Sequence, residues 1–390
     1  MTQIFASPGR YVQGYKELEK ILRHIAWFGS TFLVITSKGR KAALAATLDA
    51  SFAAAGKKLQ YVIFDGEVTK KGIQKIVAEK KDAKCDGVIG IGGGKVLDTA
   101  KAVAYYLKLP ICIVPTIASN DAPTSSLSVI YREDGAFDDV LFYEKSPDVV
   151  LIDTSIIVQA PARLLVAGMG DALATYFEAR TCVDAYRDNF LGTAEGGMSG
   201  GSRGSKATVT AMAIAELCYK VLLEDGVQAK LACEKKCVTK AFNRIVEANS
   251  LMSGIGFEST GVATAHAVYC GFSELRGRQH LFHGEYVAFG TIAMLLLEGK
   301  PKHEIDTVVR FCMSVGLPVT FADMGLSDMS EAELDLVVRT AASPTQTAQV
   351  EPFVITCEEM KAAILLADEV GRLYRNGGCM TDGGAGVGGK

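Results

Sequence analysis

The sequence predicts an α/β domain with a parallel sheet followed by an all-helical half. Three observations carry that prediction. Through the first 150 residues, short apolar runs alternate with stretches of helix length. From about residue 161 those runs vanish and long amphipathic patterns take over. One apolar run also passes straight into three glycines and then a helix, the turn by which parallel sheets hold phosphates. At 390 residues the chain exceeds what one core of ~250–300 residues serves, so two domains are expected.

The elements follow in order. Residues 32–36 (FLVIT) read as a buried strand, and the alanine-rich stretch 41–55 as its helix, stopped at Gly56. Residues 60–64 (QYVIF) and 69–81 form the next strand and helix, and 87–91 (GVIGI) and 96–107 the third pair. Residues 111–114 and 149–152 are two further strands. Between them, 126–131 and 140–143 flank EDGAFD and read as a β-hairpin. Such alternation implies a parallel sheet covered on both faces. Helices are then expected over 171–182, 206–224, 228–253, 265–272, 287–297, 303–315, 331–342 and 357–374. The expected division is an α/β domain over 1–160, a helical domain over 161–376 and a glycine-rich flexible tail over 377–390. The Gly/Ser-rich segment 192–204 reads as a surface loop.

Composition narrows the function classes. Hydrophobic residues make up 49% and charged residues 22%, as in soluble globular proteins. A net charge of −3 points to neither nucleic acid nor an anionic membrane as partner. Ten scattered cysteines without a CxxC fit reduced thiols in the cytoplasm. Cys233 and Cys237 stand four apart, but no further thiol or histidine follows at zinc-site spacing. The start lacks a signal-peptide pattern, and the most apolar run, 292–297, is far shorter than the ~18–20 residues of a membrane span.

Two constellations carry chemistry. In GVIGIGGGKVLDTAK a strand enters Gly92, Gly93 and Gly94 before a helix. Glycine lets a phosphate approach the backbone, and the helix start offers free N–H groups to it. Neither GxGxxG nor GxxxxGK[ST] applies. Three of the five histidines, His266, His280 and His283, lie within eighteen residues. Asp171, in AGMGDALATYFEA, is expected to open a helix in an apolar context, where a carboxylate needs a cation or hydrogen-bond donors. One Asp with two His is a usual catalytic zinc set with a position left open.

These motifs resemble the iron-containing alcohol dehydrogenase superfamily and, within it, the glycerol dehydrogenases. The carriers are SPGRYVQG (7–14), GIGGGKVLDTAKA (90–102), PTIASNDAPTSSLSVIY (115–131), PARLLVAGMGDALATYFEA (161–179), EANSLMSGIGFESTGVATAHA (247–267) and HGEYVAFGT (283–291). The resemblance implies a dehydroquinate synthase-like architecture, with a Rossmann-like domain and a helical domain around a deep cleft. It implies zinc on Asp171, His266 and His283, since Thr175 stands where iron-binding relatives have a further histidine. Gly93, Gly94 and Lys95 would hold a pyrophosphate, with Asp98 beneath the nicotinamide side. Thr116, Ser119, Ser125, Leu127 and Tyr131 would line the cofactor. Asp121 would receive a substrate hydroxyl, and His280 would act behind the ligands or as a proton relay.

The implied reaction is reversible oxidation of glycerol, or a related vicinal diol, to dihydroxyacetone or its analogue, with hydride passing to a nicotinamide dinucleotide. A homo-oligomer, commonly of eight subunits, is implied as well. One departure concerns the cofactor. NAD-using members carry an acidic residue after the first strand, and here that position is Ser37, with Lys38, Arg40 and Lys41 close by. Two readings stay open: relaxed or NADP-leaning use, or NAD with a weaker ribose contact from Ser37. Two rivals to the function stand beside it: an NADPH-dependent reductase of small aldehydes or hydroxyketones, and a nucleotide- or metal-binding sensor without turnover.

Overall fold

A computed structural model describes residues 2–192, 204–278 and 280–380. The glycine-rich segment between 192 and 204 and the tail beyond 380 lie outside the described residues.

The α/β half runs β1 (Tyr11–Gly14), α1 (Leu22–Ile25), β2 (Thr31–Thr36), α2 (Lys38–Ala54), β3 (Lys58–Ile63), α3 (Lys70–Lys80), β4 (Gly87–Gly92), α4 (Gly94–Leu107), β5 (Ile111–Pro115), β6 (Leu127–Tyr131), β7 (Phe137–Phe142) and β8 (Val149–Asp153). Six strands pair in the order β1-β8-β5-β4-β2-β3, all parallel. The four inner strands are apolar along almost their whole length and buried on both faces, as helix-covered parallel strands must be. At one edge, β3 is half-buried along its middle, exposed at both ends, and carries Lys58 and Gln60. β6 and β7 form the predicted antiparallel hairpin outside this sheet.

Five parallel strands were legible as apolar runs, but β1 was not. Its four residues, YVQG, hold no apolar run, and it exists because the edge of β8 offers unpaired groups: Tyr11 lies opposite Val150 and Gly14 opposite Asp153.

The helical half runs α5 (Thr154–Ile157), α6 (Ala162–Asp184), α7 (Val209–Glu234), α8 (Lys240–Glu247), a π-helical turn (Ala248–Met252), α9 (Ser253–Thr260), α10 (Thr264–Ser273), α11 (His283–Leu297), α12 (Lys302–Val315), α13 (Glu331–Ala341) and α14 (Cys357–Arg375). Two expectations are corrected. The helices expected over 206–224 and 228–253 are divided elsewhere: α7 continues through Gly226, and the chain breaks only after Glu234. Gly226 marks a close contact, since a Cβ there would stand 2.8 Å from the Phe311 ring. Asp171 does not open a helix, because α6 starts nine residues earlier behind Pro161.

One apolar cluster joins Leu33, Val88 and Ile113 of the sheet to Leu165 and Phe177 of α6 and Phe289 of α11. No helix among the described residues is long and apolar enough to cross a membrane.

Candidate active site

Asp171 is buried in the middle of α6, His266 is the third residue of α10, and His283 is the first of α11. Nε2 of His283 lies 3.1 Å from Oδ1 of Asp171, and Nε2 of His266 lies 3.6 Å from the same atom. One ligating atom from each residue falls within 4.8 Å of the others. The glycines on either helix explain the meeting. A Cβ on Gly170 would stand 2.2 Å from the Gly284 carbonyl oxygen, and one on Gly284 would stand 1.9 Å from the Ala167 carbonyl oxygen. The two helices therefore touch backbone to backbone, and Asp171 and His283, each next to a contact glycine, are brought together.

A fourth residue, which the sequence reading missed, completes the arrangement. Glu178 is seven residues after Asp171, two turns along the same face of α6. Its side chain is fully buried, and Oε2 lies 2.6 Å from Nδ1 of His266. Oε1 accepts the backbone amides of Ala263 and His266 at 2.8 and 3.0 Å. Ala263 has no polar side-chain atom to cap α10, so Glu178 caps that helix from outside and orients its histidine.

Across from the cluster stands the segment between β5 and β6. Asp121 Oδ2 accepts the hydroxyl of Ser253 at 2.7 Å, and Ser253 Oγ lies 2.8 Å from Thr175 Oγ1. The hydroxyl at position 175 thus supports Asp121 instead of adding an imidazole to the cluster. The π-helical turn and α9 hold the whole segment. Asn249 donates to the Ala118 carbonyl at 3.0 Å, Thr124 to the Ser250 carbonyl at 3.0 Å, and Ser126 to Glu258 Oε1 at 2.5 Å through both its amide and its hydroxyl. Extra-wide helical turns of this kind recur at functional sites.

Electrostatics suits a cation. Asp121, Asp171 and Glu178 converge on two imidazoles, and Asp171 Oδ2 is buried with no hydrogen-bond partner among the described residues. Burial works against ionisation of Asp171, but His283 and His266 outweigh it and hold the carboxyl well below its usual range. Burial, and then the Asp171 charge, pushes Asp121 well above its usual range. Burial alone would lower the His266 pKa, yet Glu178 and Asp171 raise it well above normal. Such a carboxylate-rich donor set, with a bare buried oxygen, fits a divalent metal.

The predicted nucleotide residues gather at the carboxyl ends of the strands. Gly93 caps α4 and Gly94 begins it; a Cβ on Gly94 would lie 3.1 Å from the Asn120 side chain. Lys95 is paired with Glu67. Asp98 is buried against Lys101 at 2.9 Å and accepts the Val129 amide at 3.2 Å, so it braces β6 from below. Thr116 donates its amide to the Gly92 carbonyl at 2.9 Å, tying β5 to the glycine turn. Ser119 is half-buried, Ser125 lies 3.4 Å from the Lys101 ammonium, and Leu127 and Tyr131 begin and end β6. Ser37 caps α2 through the Arg40 amide at 3.3 Å. His280 stands apart from the ligating group: its Nε2 lies 2.9 Å from the Met324 carbonyl oxygen, against Gly325.

The profile of the iron-containing alcohol dehydrogenase family matches residues 8–154. The chain is 44% identical over 385 residues to a glycerol dehydrogenase of Citrobacter freundii, covering 96% of this chain and 99% of that one. It is 40% identical over 376 residues to a glycolaldehyde reductase of Halobacterium salinarum, covering 96% of this chain and all of that one. Its fold matches the crystal structure of a glycerol dehydrogenase from Schizosaccharomyces pombe with a TM-score of 0.89 and 32% identity, covering 96% of this chain and 93% of that one.

Proposed function

The chain belongs to the iron-containing alcohol dehydrogenase family, in its glycerol dehydrogenase branch, and on that premise we propose that it oxidises glycerol reversibly to dihydroxyacetone, with a nicotinamide dinucleotide and a zinc ion held by Asp171, His266 and His283. The observation that carries the reading is the convergence of that donor set with Asp121, opposite a glycine turn at the strand ends.

When bound, the cation would supply Lewis acidity toward the alcohol oxygen, and the dinucleotide would accept the hydride. The chain's own residues do the positioning. Glu178 keeps the proton of His266 on Nδ1, leaving Nε2 free to ligate. Asp121 accepts a hydrogen bond from the hydroxyl next to the reacting carbon, which selects vicinal diols. Ser253 and Thr175 fix the Asp121 rotamer from behind. Gly93, Gly94 and Lys95 offer the start of α4 to the pyrophosphate. Asp98, Thr116, Ser119, Ser125, Leu127 and Tyr131 shape the adjoining wall, and Ser37 lies at the adenosine end. His280 is assigned no step, because its ring nitrogen is bonded to Met324. The released proton leaves to solvent.

Zinc rather than iron rests on Thr175, which offers no fourth nitrogen. The division at residue 160, cytoplasmic location and an eight-subunit homo-oligomer belong to the same proposal: the first rests on the change of pattern near residue 161, the second on the scattered cysteines, and the third on the resemblance. A second reading, reduction of a small hydroxyaldehyde at the same site, is favoured by the likeness to the glycolaldehyde reductase.

The deciding experiment measures nicotinamide reduction with glycerol before and after chelation, then with zinc or ferrous ion restored. Turnover lost with chelator and restored by zinc supports the reading. No turnover of glycerol by zinc-loaded protein that reduces glycolaldehyde would favour the second. No turnover of either would leave a sensor.

A further inference from the structure

The sheet reverses its winding between β2 and β4. Helix α2 leads from β2 outward to β3, while α4 leads from β4 the opposite way to β5. Doubly wound sheets bind ligands outside the carboxyl ends of the strands at such a reversal. The glycine turn follows β4, so the ribose that carries either a 2′-hydroxyl or a 2′-phosphate is read at the end of β2. The residue there, Ser37, is neutral and already engaged in capping α2.

The neighbouring strand supplies what β2 lacks. β2 and β3 run parallel in register, Thr36 opposite Ile63, and the Phe64 amide donates to the Thr36 carbonyl at 2.9 Å. The chain leaving β3 therefore passes beside the start of α2. Asp65 sits against the Lys38 amide, with its carboxylate oxygens 3.3 and 3.4 Å from that nitrogen. Two residues later, Glu67 pairs with Lys95 in the first turn of α4. Residues 65–67 (DGE) thus set one carboxylate at each of the two helix starts that flank the reversal. One of the three nearby cations is engaged elsewhere: the Lys41 ammonium lies over the Tyr61 ring, 4.6 Å from its centre.

We infer that Asp65, reaching over from β3, takes the place of the ribose-reading acid absent at Ser37 and makes the site select NAD over NADP. This rests on the dinucleotide reading above. A carboxylate accepts hydrogen bonds from ribose hydroxyls and repels a phosphate of roughly −1.5 to −2 charge. The neighbouring Lys38 and Arg40 side chains pull the other way, and Asp65 opposes them from its contact with the Lys38 amide at the Ser37–Lys38 peptide.

The test needs no substrate. NADH and NADPH are titrated separately into the purified protein and into Asp65→Asn and Glu67→Gln, following nicotinamide fluorescence at low and moderate salt. The parent is expected to bind NADH at least about tenfold more tightly than NADPH. Asp65→Asn, which keeps the shape and an acceptor for Lys38, is expected to close most of that gap by tightening NADPH. Glu67→Gln is expected to change both alike. A parent that binds NADPH as tightly as NADH, an unchanged ratio in Asp65→Asn, or a ratio moved by Glu67→Gln instead would overturn the proposal. Binding of neither dinucleotide by the parent would overturn the cofactor reading itself, and the inference with it.

Discussion

Glu178 and His266 are joined twice: the carboxylate meets the imidazole Nδ1 at 2.6 Å and the backbone amide of the same residue at 3.0 Å. One buried acid therefore fixes both where the histidine sits and which nitrogen it can give to a metal.

Replacing Glu178 by Gln should weaken zinc binding by about 10–100-fold, the range seen when such supporting carboxylates are lost. The measurement is competition with a chromophoric chelator. Unchanged zinc affinity in a variant of unchanged melting temperature would mean that Glu178 serves packing alone.

Asp121→Ala should raise the KM for glycerol by up to about tenfold, the cost of one ordinary hydrogen bond. The Kd for NADH should stay within about twofold. Ser253→Ala should move KM the same way but less, because it loosens the Asp121 rotamer without removing the acceptor. Equal losses for substrate and dinucleotide would count against a substrate role for Asp121.

Gly284→Ala places a methyl group where the Ala167 carbonyl oxygen and the Asp171 amide now stand. Overpacking of this kind costs about 1–3 kcal/mol, and here it also pushes α11, with His283, off α6. The melting temperature should drop, and the rise that zinc adds to it should shrink. A normal zinc-dependent rise would show that the contact does not set the ligand geometry.

Glu258 sets a pH dependence of stability away from the metal cluster. Burial pushes its pKa up to about 7, although two bonds from Ser126 and the nearby Lys101 oppose the rise. The folded state therefore holds this proton more tightly than the unfolded chain does. Stability from this group is fully present below the unfolded pKa of about 4.5 and falls as pH rises through about 7, by roughly 3 kcal/mol. Glu258→Gln should gain melting temperature relative to the parent between pH 5 and pH 8. A constant difference across that range would rule the titration out.

Much of the fold is visible in single stretches of chain. β2, β4, β5 and β8 are apolar along almost their whole length because both faces are covered, and β3 is half so because it is an edge. The glycine turn and the residues Asp171, His266 and His283 stood out because chemistry restricts which side chains can do such work. β1 stayed hidden because it is defined by its partner strand. Glu178 carried a faint signal in its seven-residue spacing from Asp171. Ser253 and Asp65 carried none, since a serine in a helix and an aspartate after a strand are ordinary features.

By itself, then, the sequence determined most of the order of strands and helices, the glycine turn after β4 and the candidates for metal donors, because periodicity and residue chemistry are local properties. Only the tertiary structure decided which acid supports His266, which hydroxyl holds Asp121 and which carboxylate stands beside Ser37. Those partners lie 88, 132 and 28 residues apart. Their meeting depends on the start of α10 lying against α6, on the grip of the π-helical turn and on the pairing of β2 with β3, and no short window of sequence contains any of these.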